Sequence, residues 1–210
     1  MNPLVIAIDS STTATKAIVV DTEGKVLALG RQDIDLLSPE QGFGEHDPRQ
    51  WWTSTRDAVA QALAQLTPAE KERIAAFGIT HQRESFAPFA ADGTPLRNGI
   101  LWLDIRAADQ VQRYGAPEIH ALSGRPADVT PGLYKMAWLK ENEPESLAKA
   151  DKVTTVSAYI AFCLTGKWVD SAACADSLSL SNIKTLEYDD GLLEIAGVRR
   201  EQMADLVKPG

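Results

Sequence analysis

The sequence predicts an α/β fold in which helices pack on a mixed sheet. The first ~35 residues hold three short runs rich in Val and Ile, joined by tight turns. Beyond them, helical stretches alternate with strands, and no low-complexity linker or internal repeat divides the 210 residues, so one domain is expected. Strands joined by hairpins are antiparallel, which excludes a doubly wound parallel sheet.

Each element follows from its residues. "LVIAID" (4–9) is short, apolar and β-branched, and reads as a fully buried strand. "KAIVVDTEGKVLALGRQDI" gives two more strands around a turn at Thr22-Glu23-Gly24. "LLSPEQGFGEHDP" is loop. A helix follows with Asp47 as N-cap and Pro48 at its first position, and Trp51, Trp52, Ala58, Val59, Ala62, Leu63 and Leu66 recur at helical spacing. "IAAFGITHQRES" is a strand that turns polar as it ends, and "FAPFAADGTPLRNGILWLD" holds a strand, an Asp-Gly turn and another strand. One helix is expected within 104–124, ending near Ser123-Gly124, and a second is expected to stop before Pro144. A strand near 152–156, a helix over "SAYIAFCLTG" and a mixed tail complete the pattern.

Hydrophobic content of 44% and charged content of 24% are those of a soluble globular protein. A net charge of −8 argues against nucleic acid or an anionic membrane as partner. No apolar run approaches the ~18 residues of a membrane span, and the N-terminus has no basic n-region, so a cytoplasmic protein is expected. Cys163 and Cys174 read as buried free thiols, and His46, His81 and His120 fit no zinc-ligand spacing.

Chemistry is suggested at three strand ends. Asp9 closes the first strand and is followed by Ser10, Ser11, Thr12, Thr13 and Thr15, then Lys16. A buried carboxylate must be solvated, paired or metal-bound. Hydroxyls and backbone N–H groups of a tight turn can surround an anion, and magnesium favours a carboxylate with waters and phosphate oxygens. Asp9 with residues 10–15 therefore reads either as a phosphate-and-magnesium turn or as a Ser/Thr hairpin with Asp9 paired to Lys16. It is not a P-loop, because G-x-x-x-x-G-K-[ST] is missing. At the second strand end, His81, Gln82, Arg83 and Glu84 place a rigid donor fork beside a carboxylate, which suits vicinal hydroxyls or a surface ion pair. At the third, Trp102 reads as core or as a stacking surface for a sugar's carbon face, and Asp104–Arg106 as further polar contacts or a helix cap. Ligands commonly bind at strand ends in α/β folds, so one cleft is favoured over three coincidences.

Six segments in order resemble the FGGY family of carbohydrate kinases, which includes glycerol kinase, xylulokinase, ribulokinase and gluconokinase. "IDSSTTATKAIVVD" is similar to the family's phosphate loop, D-x-G-T-[ST]-x-[ST]-[RK]. "GFGEHDPRQWW" resembles G-[WF]-x-E-x-D-P-x-x-W-W, "GITHQRES" the strand G-I-[TS]-x-Q, and "ILWLDIRA" the segment I-x-W-x-D-x-R. "ALSGRPA" resembles the next turn and "DSAACADSLSL" a later T-D-x-[ST]-x-A.

The resemblance implies an actin-like ATPase (RNase H-like) domain that phosphorylates a sugar or polyol hydroxyl with ATP and magnesium (Mg2+). On it, Asp9 helps hold the metal, and Thr12, Thr13 and Lys16 lie near the transferred phosphoryl group. Gln82, Arg83, Glu84, Trp102 and Asp104 bind substrate, and a homodimer is left open. Residues 1–210 are then the N-terminal, sugar-binding half. The family's second domain, which supplies most adenosine contacts and the catalytic Asp, is expected beyond residue 210, so no catalytic residue is nominated here. Three departures stand out. Ser11 replaces the loop glycine; Arg83–Glu84 resemble the glycerol-binding pair of glycerol kinase rather than the Met-His of xylulokinases, yet Thr130 stands near where glycerol kinase has its glycerol-contacting Tyr; and the largest is length, since family members run to roughly 500 residues. A non-catalytic sugar-binding or regulatory module, or a different actin-like ATPase, are the competing expectations.

Overall fold

The computed structural model describes residues 2–208, with Ala175 and Asp176 of the "DSAACADSLSL" segment described in their backbone alone. Contacts group the chain into two compact units. One holds the residues up to Leu36 together with Arg49–Gln82; the other holds Leu37–Pro48 and the residues from Arg83 onward.

In the first unit, β1 (Leu4–Ser10), β2 (Ala14–Asp21) and β3 (Val26–Asp33) form the expected antiparallel meander. After β4 (Glu45–His46), a two-residue strand of the second unit within the expected loop, α1 (Arg49–Ala64) begins one residue past Pro48. A short α2 (Pro68–Lys71) follows, made by a capping box in which Glu70 N–H and Thr67 N–H each find the other residue's side chain. β5 (Ile74–His81) then lies parallel to β1, giving the mixed order β3-β2-β1-β5.

The expected burial of β1 holds for one face. Leu4, Ile6, Ile8 and Ser10 are buried, whereas Val5, Ala7 and Asp9 are half-buried. The buried face joins Ala17, Val19 and Ala28 against Ala58, Ala62 and Leu66. Gly30 lets α1 approach β3, since a Cβ there would run into the Ala58 carbonyl.

In the second unit, β6 (Phe86–Phe89) and β7 (Gly99–Ile100) are joined through the Asp-Gly turn. The single helix expected in 104–124 is two: α3 (Ala108–Tyr114) and α4 (Pro117–Ser123). Gly115 N–H closes α3 on the Val111 carbonyl, and Pro117, lacking an N–H, starts the next helix. α4 ends at Gly124, as expected, with φ +73°. α5 (Gly132–Asn142), α6 (Pro144–Ala148), β8 (Lys152–Thr155) and α7 (Val156–Thr165) follow. The antiparallel sheet runs β4-β7-β6-β8, and α5 is the spine of the core, with Leu133, Met136 and Leu139 packed among Phe86, Ile100, Val153 and Leu192. The mixed tail adds β9 (Val169–Ser171), α8 (Ala172–Ala175), the pair β10 (Ser181–Asn182) and β11 (Glu187–Tyr188), α9 (Asp190–Ala196) and β12 (Asp205–Val207). Cys163 and Cys174 are not joined in a disulfide, and both are half-buried rather than buried. Among the described residues, no helix is long and apolar enough to cross a membrane.

Candidate functional site

The β1–β2 turn of the first unit sorts its five hydroxyls into two groups. Ser10 and Thr15 are fully buried; Thr15 Oγ1 lies 2.7 Å from Ser54 Oγ on α1 and ties helix to hairpin. Ser11 donates from both its N–H and its hydroxyl to the Ala14 carbonyl, at 3.0 and 2.7 Å. Ser11 is not among the positive-φ residues, so the turn does not demand the glycine of the family pattern. Thr12 is half-buried and Thr13 exposed at the tip. Asp9 and Lys16 face each other across the ladder, yet form no ion pair among the described residues. A half-buried carboxylate not spent on the neighbouring lysine suits magnesium, which keeps waters and takes one or two carboxylates plus phosphate oxygens. Such a site needs no cluster, and among the described residues no group of three or more His, Cys, Asp or Glu is placed to hold a metal. At the end of β5, Gln82 reaches the same turn. Its N–H donates to the Ser10 carbonyl at 2.9 Å and its Nε2 to the Ser11 carbonyl at 3.5 Å.

Arg83 begins the longer segment of the second unit and is exposed. Glu84 adopts φ +64°, a left-handed conformation that a non-glycine residue holds only when its surroundings enforce it. The enforcing contacts are an ion pair from Arg125 to Glu84 Oε1 at 2.7 Å and a hydrogen bond from Glu84 N–H to Ser177 Oγ at 3.4 Å. Next in the chain, buried Ser85 accepts the Trp102 N–H on its Oγ at 3.1 Å. The Trp102 carbonyl accepts from Lys135 Nζ at 2.9 Å, while the Trp102 residue stays 41% exposed. An aromatic residue is thus displayed on a backbone held from both sides.

Lys135 is a feature sequence reasoning missed. It is completely buried on α5, and its Nζ donates to three carbonyls: Leu101 at 2.6 Å, Trp102 at 2.9 Å and Thr130 at 3.0 Å. Burial pushes its ammonium down to about 7, and the charges of Asp104 and Glu84 offset part of that push. The signal was available in "GLYKMAWL", where a lone cation interrupts an apolar helix.

Asp104, expected among substrate contacts, is fully buried with both oxygens engaged. Oδ2 accepts from Gly44 N–H and from Arg106, both at 2.7 Å, and Oδ1 accepts the Arg106 backbone N–H and Nε, both at 2.9 Å. Arg106 also donates to Glu45 at 2.7 Å and lies over the Phe43 ring at 3.9 Å. Burial opposes the Arg106 charge, but its bonds to Asp104 and Glu45 outweigh it and hold the guanidinium above its ordinary value. Glu45 accepts from Arg97 as well, at 2.8 Å. The "GFGEHDP" and "WLDIR" segments are therefore two halves of one buried polar knot that sets the loop bearing Trp102.

The profile of the FGGY family of carbohydrate kinases, N-terminal domain, matches residues 4–210. The chain belongs to the FGGY family. This FGGY domain is 35% identical over 206 residues to a glycerol kinase of Thermococcus gammatolerans, covering 94% of this chain and 41% of that protein. It superposes with TM-score 0.91 and 30% identity on a gluconate kinase from Lactobacillus acidophilus, covering 100% of this chain and 42% of the other. The match to a ligand-bound xylulose kinase from the same organism has the same TM-score and identity, with 99% and 42% coverage. The FGGY chain thus spans about two-fifths of the length of the relatives it matches. Its fold is the actin-like ATPase fold of those kinases, with the mixed sheet read from the sequence.

Proposed function

We propose that this FGGY domain is the sugar-binding part of an ATP- and magnesium-dependent carbohydrate kinase, cytoplasmic, which transfers the γ-phosphoryl group of ATP to a hydroxyl of a small sugar or polyol. The observation that carries the reading is the constrained pair of Glu84 and Trp102. Glu84 is held in a costly left-handed conformation, and Trp102 is presented on a loop bonded through Ser85 and Lys135. A carboxylate accepts from hydroxyls, and an exposed indole covers the C–H face of a polyol chain. Arg83 adds donors at the same strand end.

In the first unit, Asp9 would hold magnesium, and Thr12, Thr13 and Lys16 would position phosphate oxygens. Magnesium, when bound, supplies neutralisation of the charge that builds up during phosphoryl transfer. The side chains present bind and orient. The group that accepts the hydroxyl proton is assigned to the family's second domain, so residues 1–210 by themselves bind rather than turn over.

Thermal melting with glycerol, xylulose, ribulose, gluconate and erythritol, each with and without Mg-ATP, tests this. A ligand present at 100 times its Kd adds about 2.7 kcal/mol, which is a shift of several degrees. The expected result is a shift with at least one of the five that Glu84→Ala abolishes while the unliganded melting temperature stays within ~3 °C. No shift with any of them, or shifts that survive Glu84→Ala, would overturn the assignment.

A further inference from the structure

Lys135 does more than satisfy three carbonyls, because those carbonyls belong to two different loops. Leu101 and Trp102 follow β7, whereas Thr130 stands two residues before α5 begins at Gly132. Nζ draws all three to one point, at 2.6, 2.9 and 3.0 Å, on a side chain with no exposed surface. An ammonium has three protons and no acceptor, so three carbonyls use it completely. A neutral amine has two protons and a lone pair, and the lone pair would face the third carbonyl oxygen. The arrangement therefore requires the charged form, while burial opposes that form and lowers its pKa to about 7. Asp104, Glu84 and Asp128 face the ammonium and favour it, and Arg106 opposes it.

The consequence falls on Trp102. It is 41% exposed and takes its orientation from the backbone that carries it, held by Ser85 on the N–H side and by Lys135 on the carbonyl side. Contact residues bind well only when held within about 0.5 Å of the productive geometry. We propose that Lys135 is a positioning residue of the sugar site: its ammonium locks the Trp102 loop to the Thr130 loop and sets the indole against the sugar, so that proton loss from a side chain beyond any ligand's reach weakens sugar binding. The assignment rests on the reading that Trp102 covers a sugar.

Two readouts on the full chain test it. Acrylamide quenching of Trp102 is followed from pH 6 to pH 9, as the difference between wild type and Trp102→Ala because the chain has five tryptophans. Dissociation constants for glycerol, xylulose, ribulose, gluconate and erythritol are measured by calorimetry over the same range. The Trp102 signal is expected to change with a midpoint near pH 7. Affinity for at least one ligand should fall ~4-fold or more across that range, the size of one lost hydrogen bond. Lys135→Gln, which keeps two donors and does not titrate, should flatten both profiles. Trp102→Ala should bind more weakly yet hold its affinity within ~2-fold across the range, which a general effect of Lys135 on stability would not produce. The wild-type and Trp102→Ala measurements stand even where the Lys135 variant does not fold. A Trp102 signal level with pH overturns the lock. A Trp102 transition with level sugar affinity, or an affinity fall that survives in Trp102→Ala or Lys135→Gln, overturns the positioning role and leaves the sugar-binding reading standing. Binding of none of the five overturns both.

Discussion

Replacing Lys135 by Met keeps the length of the side chain and removes the ammonium that bridges three carbonyls. The Leu101 carbonyl is buried and would lose its donor at 2.6 Å outright, whereas the Trp102 and Thr130 carbonyls are partly accessible and regain water. A buried acceptor left unsatisfied costs about 1–3 kcal/mol, and the two half-exposed bonds add about 1 kcal/mol between them. Relief of the buried charge offsets part of this, so a net loss of about 2–3 kcal/mol is expected near pH 7. The pH dependence supplies an internal check. Burial lowers the folded-state pKa of Lys135 from 10.5 to about 7, with Asp104, Glu84 and Asp128 pulling upward and Arg106 downward. Between those values the unfolded chain binds the extra proton, so the wild type gains stability as pH rises from 7 toward 10.5 and carries the full penalty below 7. Two pH units above 7 correspond to about 2.7 kcal/mol. Urea melts of wild type and Lys135→Met at pH 6 and pH 9 would therefore show a gap that widens by roughly that 2.7 kcal/mol. A gap that is constant with pH refutes the depressed pKa. An unchanged melt together with unchanged tryptophan fluorescence refutes the bridging role itself.

Two further substitutions probe the frame around the site. Asp104→Asn removes the main counter-charge of a guanidinium whose side chain is 1% exposed, leaving Glu45 as its remaining partner. A loss of about 3 kcal/mol in chemical denaturation is expected, partly recovered by adding Arg106→Met. Gly30→Ala drives a methyl group into the Ala58 carbonyl and should lower stability by about 1–3 kcal/mol, with the loss visible as faster hydrogen exchange along α1.

The first 33 residues were legible because their signals are local. A Glu-Gly turn between β-branched runs specifies a meander whatever surrounds it, although the one-faced burial of β1 was not read from its apolar run. The break between α3 and α4 was also written in the chain, at Gly115 and Pro117, but helical spacing on both sides masked it. The capping box at Thr67 and Glu70 is a local signal of the same kind.

Asp104 shows where local reading ends. From sequence it is a carboxylate at a strand end, open to substrate, metal or helix cap. Its partner Gly44 lies 60 positions away, and only the pairing of β4 with β7 brings that N–H to its oxygen. Arg125 and Glu84 stand 41 positions apart by their numbers, with no periodicity to couple them. Lys135 announces a buried charge, but not which three carbonyls satisfy it.

The sequence by itself determined the mixed α/β architecture, the FGGY family and the residue types available at three strand ends. Tertiary structure decided their assignments: Ser10, Thr15 and Asp104 turned inward, Thr13 and Trp102 outward, and Glu84 beside Arg125. The division follows from the range of the forces. Propensity and hydrophobic period act over a few residues, whereas a buried polar group takes its role from whichever distant donor or acceptor the fold places within hydrogen-bond reach.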